Sequence, residues 1–314
     1  MFSTALVVGS DGFLGRNLVT HLEARNVAVF RIGRDKGDLS LPGVAEAAFA
    51  AVPKVEKIFH TVTRQRTGPS QFKLQAELMR INTLLHLNIL EAWQQSQPQA
   101  KMISMGSSCT YPESDSPLNE SMFGGGGAHP SVYGYAHGKL TIATGSQAYG
   151  QQYGLKWLHC VLATMFGPHD NKAEDRSHFM GAMIERAVRE KAQNLPKFTV
   201  WGNHETVREV LYVDDQIEAI LAADSAFENQ VLNVAANTPV TVKQSAEAIL
   251  KALAWDVPIS SPEGSFQGTH YKMLDSSSFL NTTGWTPKIP LIDGVKRLLT
   301  CEYASANTGH KMPL

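Results

Sequence analysis

A chain of 314 residues exceeds the roughly 100–200 residues of one ordinary domain, so the sequence predicts two domains, or one large α/β domain carrying a lobe. Its 28 Lys and Arg nearly balance its 29 Asp and Glu, and no segment concentrates the cations, which argues against nucleic acid as a partner. Charged residues break every apolar run before the ~20 residues a bilayer requires, and the opening Met1-Phe2-Ser3-Thr4 lacks a basic leader, so a cytoplasmic protein without a membrane partner is expected.

In chain order the pattern begins β-α-β. The apolar run Ala5-Leu6-Val7-Val8 leads through a glycine turn to a helix over residues 14–24, then to a strand over 27–32. A helix over 44–51, a strand over 57–60, a long helix over 74–94 and a strand over 101–105 continue the alternation that builds a parallel sheet. The long helix carries Leu78, Ile81, Leu85, Ile89 and Trp93 at spacings of three and four, one face for the core. Residues 107–131, rich in Pro, Ser and Glu with four glycines at 124–127, read as a long loop. That glycine run suits either a lid or a tolerated insertion. A helix over 132–150 and a strand over 157–162 follow, then a loop over 166–176 and a helix over 179–191. Strands over 197–201 and 209–212, a helix over 216–223 and a strand over 231–234 predict a chain that weaves between two lobes. Residues 304–314 read as a frayed tail. The fold class expected is α/β, a Rossmann-type doubly wound parallel sheet with a smaller, mainly C-terminal lobe. In that division residues 1–165 bind a dinucleotide, with a return at 209–250, and residues 166–208 and 251–314 form the lobe.

Between the first strand and its helix lies Gly9-Ser10-Asp11-Gly12-Phe13-Leu14-Gly15. Glycines there permit a tight turn, close approach of backbone to a pyrophosphate and tight packing of helix on strand. The second strand ends Ile32-Gly33-Arg34-Asp35, and an Arg at that point suits the 2′-phosphate of NADP. Asp35 as an acceptor for a ribose 2′-hydroxyl keeps NAD as the less favoured alternative. Asp38 and Leu39 are suitably placed for the adenine. Further on, Tyr135 and Lys139 stand four apart on one helical face, so phenol and ammonium can act together. The lysine cation is expected to bring the tyrosine toward neutral pH, while Ser107, just past a strand, binds the same oxygen.

With Ser107, Tyr135 and Lys139 in place behind the glycine turn, the chain resembles the extended short-chain dehydrogenase/reductases that act on nucleotide sugars. The resemblance extends over nearly the whole length. Within that family the closer likeness is to enzymes that epimerise and reduce GDP-4-keto-6-deoxy-D-mannose with NADPH. It is carried by Gly106-Ser107-Ser108-Cys109-Thr110-Tyr111-Pro112, by Phe166-Gly167-Pro168-His169-Asp170-Asn171 with Ser177-His178, and by Val200-Trp201-Gly202 with Arg208-Glu209 and Val213-Asp214-Asp215. It implies that Cys109 and His178 act as base and acid for epimerisation at C3 and C5, next to a carbonyl that acidifies those protons. It further implies that Ser108, Asn171, Arg186, Trp201, Arg208 and Lys272 bind a nucleotide-diphosphate sugar, GDP-linked by preference, and that two chains form a homodimer. Asp214 and Asp215 are expected to cap the helix that follows them.

Departures from the family pattern fall at Thr164, at Thr61-Val62-Thr63-Arg64-Gln65-Arg66-Thr67-Gly68, and at the glycine run. They leave open a 4-ketoreductase without epimerisation or a UDP-sugar 4-epimerase with tightly bound NAD. A redox-sensing nucleotide-binding regulator is the non-enzymatic alternative, disfavoured by the intact Ser107, Tyr135 and Lys139. Of the three cysteines, Cys109, Cys160 and Cys301, an odd number too scattered for a disulfide framework, all are expected as free thiols.

Overall fold

The computed structural model describes residues 2–173, 176–261 and 271–303; the frayed tail expected at 304–314 lies outside them. The elements in chain order are β1 (Thr4–Val8), α1 (Phe13–Glu23), β2 (Ala28–Ile32), α2 (Val44–Ala50), β3 (Lys57–His60), α3 (Gly68–Lys73), α4 (Gln75–Ser96), β4 (Lys101–Ser107), α5 (Tyr133–Tyr153) and β5 (Trp157–Leu162). They continue with β6 (Thr164–Phe166), α6 (Phe179–Ala192), β7 (Phe198–Thr199), β8 (Val207–Tyr212), α7 (Val213–Ala226), β9 (Gln230–Val234), β10 (Pro239–Thr241), α8 (Val242–Leu253), β11 (Ile259–Ser260), β12 (Tyr271–Lys272), α9 (Ser277–Thr283) and α10 (Leu291–Tyr303).

A parallel six-stranded sheet runs β2-β1-β3-β4-β5-β9. Because side chains alternate across a strand, β1 feeds both faces: Ala5 and Val7 join Leu18, Leu22, Ile217 and Ile220 of α1 and α7. Leu6 and Val8 join Phe49, Leu85, Ile89, Trp93 and Ile142 of α2, α4 and α5. Buried on both sides, β1 and β5 read as continuous apolar runs rather than alternating ones. The sheet is doubly wound, with β1 between β2 and β3, so a crevice opens above their C-terminal ends.

A smaller sheet runs β10-β8-β12, with β6 also pairing β8, and β7 pairs β11 separately. Of the stretch 209–250, α7 and β9 join the large sheet, whereas β8 and β10 pair in the small one. A third apolar cluster, including Tyr111, Leu118, Leu211 and Leu274, joins the two.

Asn233 of β9 fastens the expected long loop. Its Oδ1 accepts from the Tyr111 hydroxyl at 2.6 Å, and its Nδ2 donates to the carbonyls of Leu118 and Asp275. At the far end of the loop, Gln75 accepts from Gly134 N and donates to Ser131 O, both at 2.7 Å. The glycine run 124–127 lies between these two anchors. Asp214 and Asp215 do not cap α7: Tyr212 occupies the cap position, and both carboxylates sit one or two residues inside the first turn. From there Asp215 Oδ2 instead accepts from Lys288 N and Ile289 N.

Candidate active site

Gly9 has φ +91°, a backbone conformation that side chains rarely adopt, and a Cβ there would lie 2.7 Å from Val62 N. At Gly15 the constraint is proximity, since a Cβ would lie 2.1 Å from Gly9 O. Helix α1 starts behind Gly12 without a side-chain cap, so its first N–H groups face the crevice, with the positive end of the helix dipole. Asp11 ties this turn to the end of β2 by accepting from Arg34 N at 2.7 Å. Arg34 itself is exposed beside that strand end. Asp35 pairs with Lys36 at 3.0 Å, and Asp38 accepts from Ser40 N and Oγ, while Leu39 is buried beneath. Turn, helix end and Arg34 form a cradle with the shape and charge for a dinucleotide phosphate, so the residues fit the expected group.

At the C-terminal end of β4 the site side chains join in one run. The Tyr135 phenol is close enough to Thr63 and Ser107 for both hydroxyls to favour its ionised form. Ser107 Oγ accepts from Cys109 N at 3.2 Å, and Lys272 Nζ donates to Cys109 Sγ at 3.1 Å. Lys272 stands opposite Arg208 in the β12–β8 register. Lys139 is buried, donates to Met105 O at 2.8 Å and is pulled by burial down to about 8. The expectation that the lysine draws Tyr135 toward neutrality does not hold. Burial, and next the charge of Cys109, push the phenol well above its ordinary range, and the ammonium is spent on a carbonyl.

His178 precedes α6, and its Nδ1 stands 2.8 Å from Asp170 Oδ1, whose other oxygen accepts from His178 N. Asp170 thereby fixes the imidazole with Nε2 free, a pairing that sequence reasoning overlooked although both residues stood in the quoted motifs. The Phe13 ring of the glycine turn lies against His178 at 5.3 Å. Thr63 was overlooked as a partner of Tyr135; Asn82 holds that segment, accepting from Thr63 Oγ1 and Arg64 N.

Arg186 and Trp201 form a pair of their own, the guanidinium 3.6 Å from the ring centroid, with Arg186 buried and Trp201 half exposed. Burial draws Arg208 down to about 10. Ser108 starts the short turn that carries Cys109, and Asn171 is exposed, its Oδ1 accepting from Ala173 N. Lys272, expected at a substrate phosphate, touches the Cys109 thiol. Among the described residues no group of three acidic, His or Cys side chains could hold a metal, and no helix is long and apolar enough to cross a membrane.

Comparison with known proteins places this geometry in context. The model of the NAD dependent epimerase/dehydratase family matches residues 5–235. A probable GDP-L-fucose synthase 1 of Oryza sativa subsp. japonica is 28% identical over 295 residues, covering 92% of this chain and 88% of the relative. Two solved structures share the fold. A GDP-L-fucose synthetase from Naegleria fowleri bound to NADP has a TM-score of 0.87 at 18% identity, over 98% of this chain and 95% of that one. A GDP-6-OMe-4-keto-L-xylo-heptose reductase from C. jejuni has a TM-score of 0.86 at 19% identity, over 98% and 99%.

Proposed function

The chain belongs to the NAD dependent epimerase/dehydratase family, and from that premise we propose that it reduces a nucleotide-linked 4-keto sugar at C4 with NADPH, after epimerisation at C3 and C5. The observation that carries the reading is the gathering of Tyr135, Ser107 and Cys109 at the end of β4, where Ser107 Oγ accepts from Cys109 N and the phenol feels both Ser107 and Cys109. The likeness to the GDP-L-fucose synthases of rice and Naegleria supports it.

Gly9, Gly12, Gly15 and the N-terminus of α1 hold the cofactor pyrophosphate, with Asp11, Phe13 and Leu14 shaping the turn. Arg34 meets the 2′-phosphate, and Asp38 and Leu39 border the adenine. NADPH, when bound, supplies hydride to a carbonyl carbon. Ser107 and Tyr135 bind the carbonyl oxygen, and Tyr135, held in its protonated form by burial, delivers the proton. Lys139 keeps the local field positive. Cys109 removes a proton beside the carbonyl, and His178, aimed by Asp170, returns one to the other face. Arg186 and Trp201 receive the nucleotide, GDP by preference, with Arg208, Ser108 and Asn171 toward the diphosphate and sugar. The lobe of residues 166–208 and 251–314 carries most of these contacts. Met79, Leu84 and Leu87, exposed on α4, support the homodimer.

The test is NMR of products from GDP-, UDP- and dTDP-4-keto sugars in deuterated water. The reading expects deuterium at C3 and C5 together with reduction at C4. Reduction without exchange would remove the roles given to Cys109 and His178, and no reduction of any member of the panel would remove the function itself.

A further inference from the structure

Cys160 is buried and Cys109 partly so, yet their surroundings push the two thiols in opposite directions. Cys160 lies on β5 inside the apolar core, and burial, with Asp224 adding to it, pushes its thiol far up. Cys109 sits in the short turn after β4, where burial also opposes ionisation, but there the balance reverses. The difference is two cations delivered by the small sheet. Parallel pairing of β12 with β8 sets Lys272 beside Arg208 at one register position, and from there Lys272 Nζ reaches Sγ at 3.1 Å. Ser107, whose Oγ accepts from Cys109 N, adds a further push toward the ionised thiol. The titratable and charged groups that face the thiol are therefore Lys272 of β12, Arg208 of β8, and Tyr135 and Lys139 of α5.

We propose that Lys272 is the positioning residue that favours the thiolate of Cys109, so that the base is created by the small sheet and not by the turn that carries the cysteine. The inference rests on the reading of Cys109 as the epimerisation base, and it gives Lys272 a task distinct from substrate phosphate binding. An ammonium in hydrogen-bond contact stabilises the charged form of a thiol directly. When the thiolate removes a carbon-bound proton, the C–H bond breaks, an S–H bond forms, and the electron pair passes to the carbonyl oxygen. Lys272 keeps its charge throughout, and the negative charge moves from sulfur to that oxygen, which Ser107 and Tyr135 bind.

The experiment measures iodoacetamide alkylation of Cys109 against pH in the full-length protein carrying Cys301→Ser, with modified sites mapped by mass spectrometry. Cys109 is expected to react with an inflection below the ~8.5 of an ordinary thiol. Lys272→Met is expected to raise that inflection by about one unit, and Lys272→Arg is expected to restore most of the shift. Restoration by Arg separates loss of charge from a folding defect. An inflection unmoved in Lys272→Met, or equally raised in Lys272→Arg, overturns the proposal. In the exchange assay, a Lys272→Met enzyme with a raised KM and an unshifted pH profile would also overturn it, because that is what a phosphate contact alone predicts. If Cys109→Ser leaves C3 and C5 exchange intact, the functional reading fails while the alkylation result still stands or falls by itself.

Discussion

A methyl group on Gly15 would sit 2.1 Å from the Gly9 carbonyl oxygen, so Gly15→Ala must push α1 away from the turn. The expected result is NADPH affinity weakened at least tenfold, read by fluorescence titration, with a lower melting temperature. Arg34→Ala is a milder change: an exposed guanidinium is lost without disturbing Asp11, which holds the backbone N–H of Arg34 and not its side chain. Kd for NADPH should rise about tenfold while that for NADH stays level. Lys139 titrates at about 8 because burial disfavours its charge. C4 reduction should therefore decline as pH rises through about 8, and Lys139→Arg, which stays protonated there, should move that limb upward in a pH–rate profile. Asp170 orients His178; Asp170→Asn should slow C5 or C3 exchange more than C4 reduction, read from deuterium content against NADPH consumed.

Helices and buried strands were legible in the sequence as far as β9, whereas α8 and α10, each long enough to show a period, were not read. The apolar stripe of α4 and the runs of β1 and β5 each bury a complete face, so pattern and structure coincide to within a few residues. Strands β6, β10, β11 and β12 have two or three residues each, too few for any period, and exist through pairing with partners distant in the chain, while the strand expected over 197–201 shortens to β7. The site divides in the same way. Tyr135 and Lys139 were readable because helix geometry is local. The contact of Lys272 with Cys109 spans 163 positions and depends on β12, so no spacing rule reaches it. Away from the site, Asp224 near the end of α7 accepts from Lys57 at 2.8 Å and pairs with Lys101 at 2.9 Å, which clamps that helix to β3 and β4. Asp224→Ala leaves two amines beside an apolar core and should cost about 3–5 kcal/mol, read by urea unfolding, with cofactor affinity retained.

Across the whole molecule, acid stability is set by three imidazoles in the large lobe. His60 and His86 share a 2.8 Å contact between β3 and α4, and His159 of β5 meets Ser104; burial holds all three neutral, with His60 and His159 drawn to about 3. Their folded values lie below the unfolded value of ~6.5, so their contribution is complete above that pH and is lost as pH falls toward 3. His60 and His159 each weaken the fold by about 1.4 kcal/mol per unit over that window, and His86 acts in the same direction. Urea midpoints should drop steeply from pH 6.5 to 4.5, and a His60→Leu, His86→Leu double variant should show a shallower slope. The glycine run has a different consequence for the molecule as material to build with. Anchored by Asn233 on one side and Gln75 on the other, it bears no strain from what it joins, and at Gly127 an added Cβ would meet nothing within 4 Å. Doubling a closed loop costs only about 0.6 kcal/mol, so a peptide tag or a small reporter domain grafted at Gly127 should leave both lobes folded, making this loop a port through which the protein can be tethered or read out.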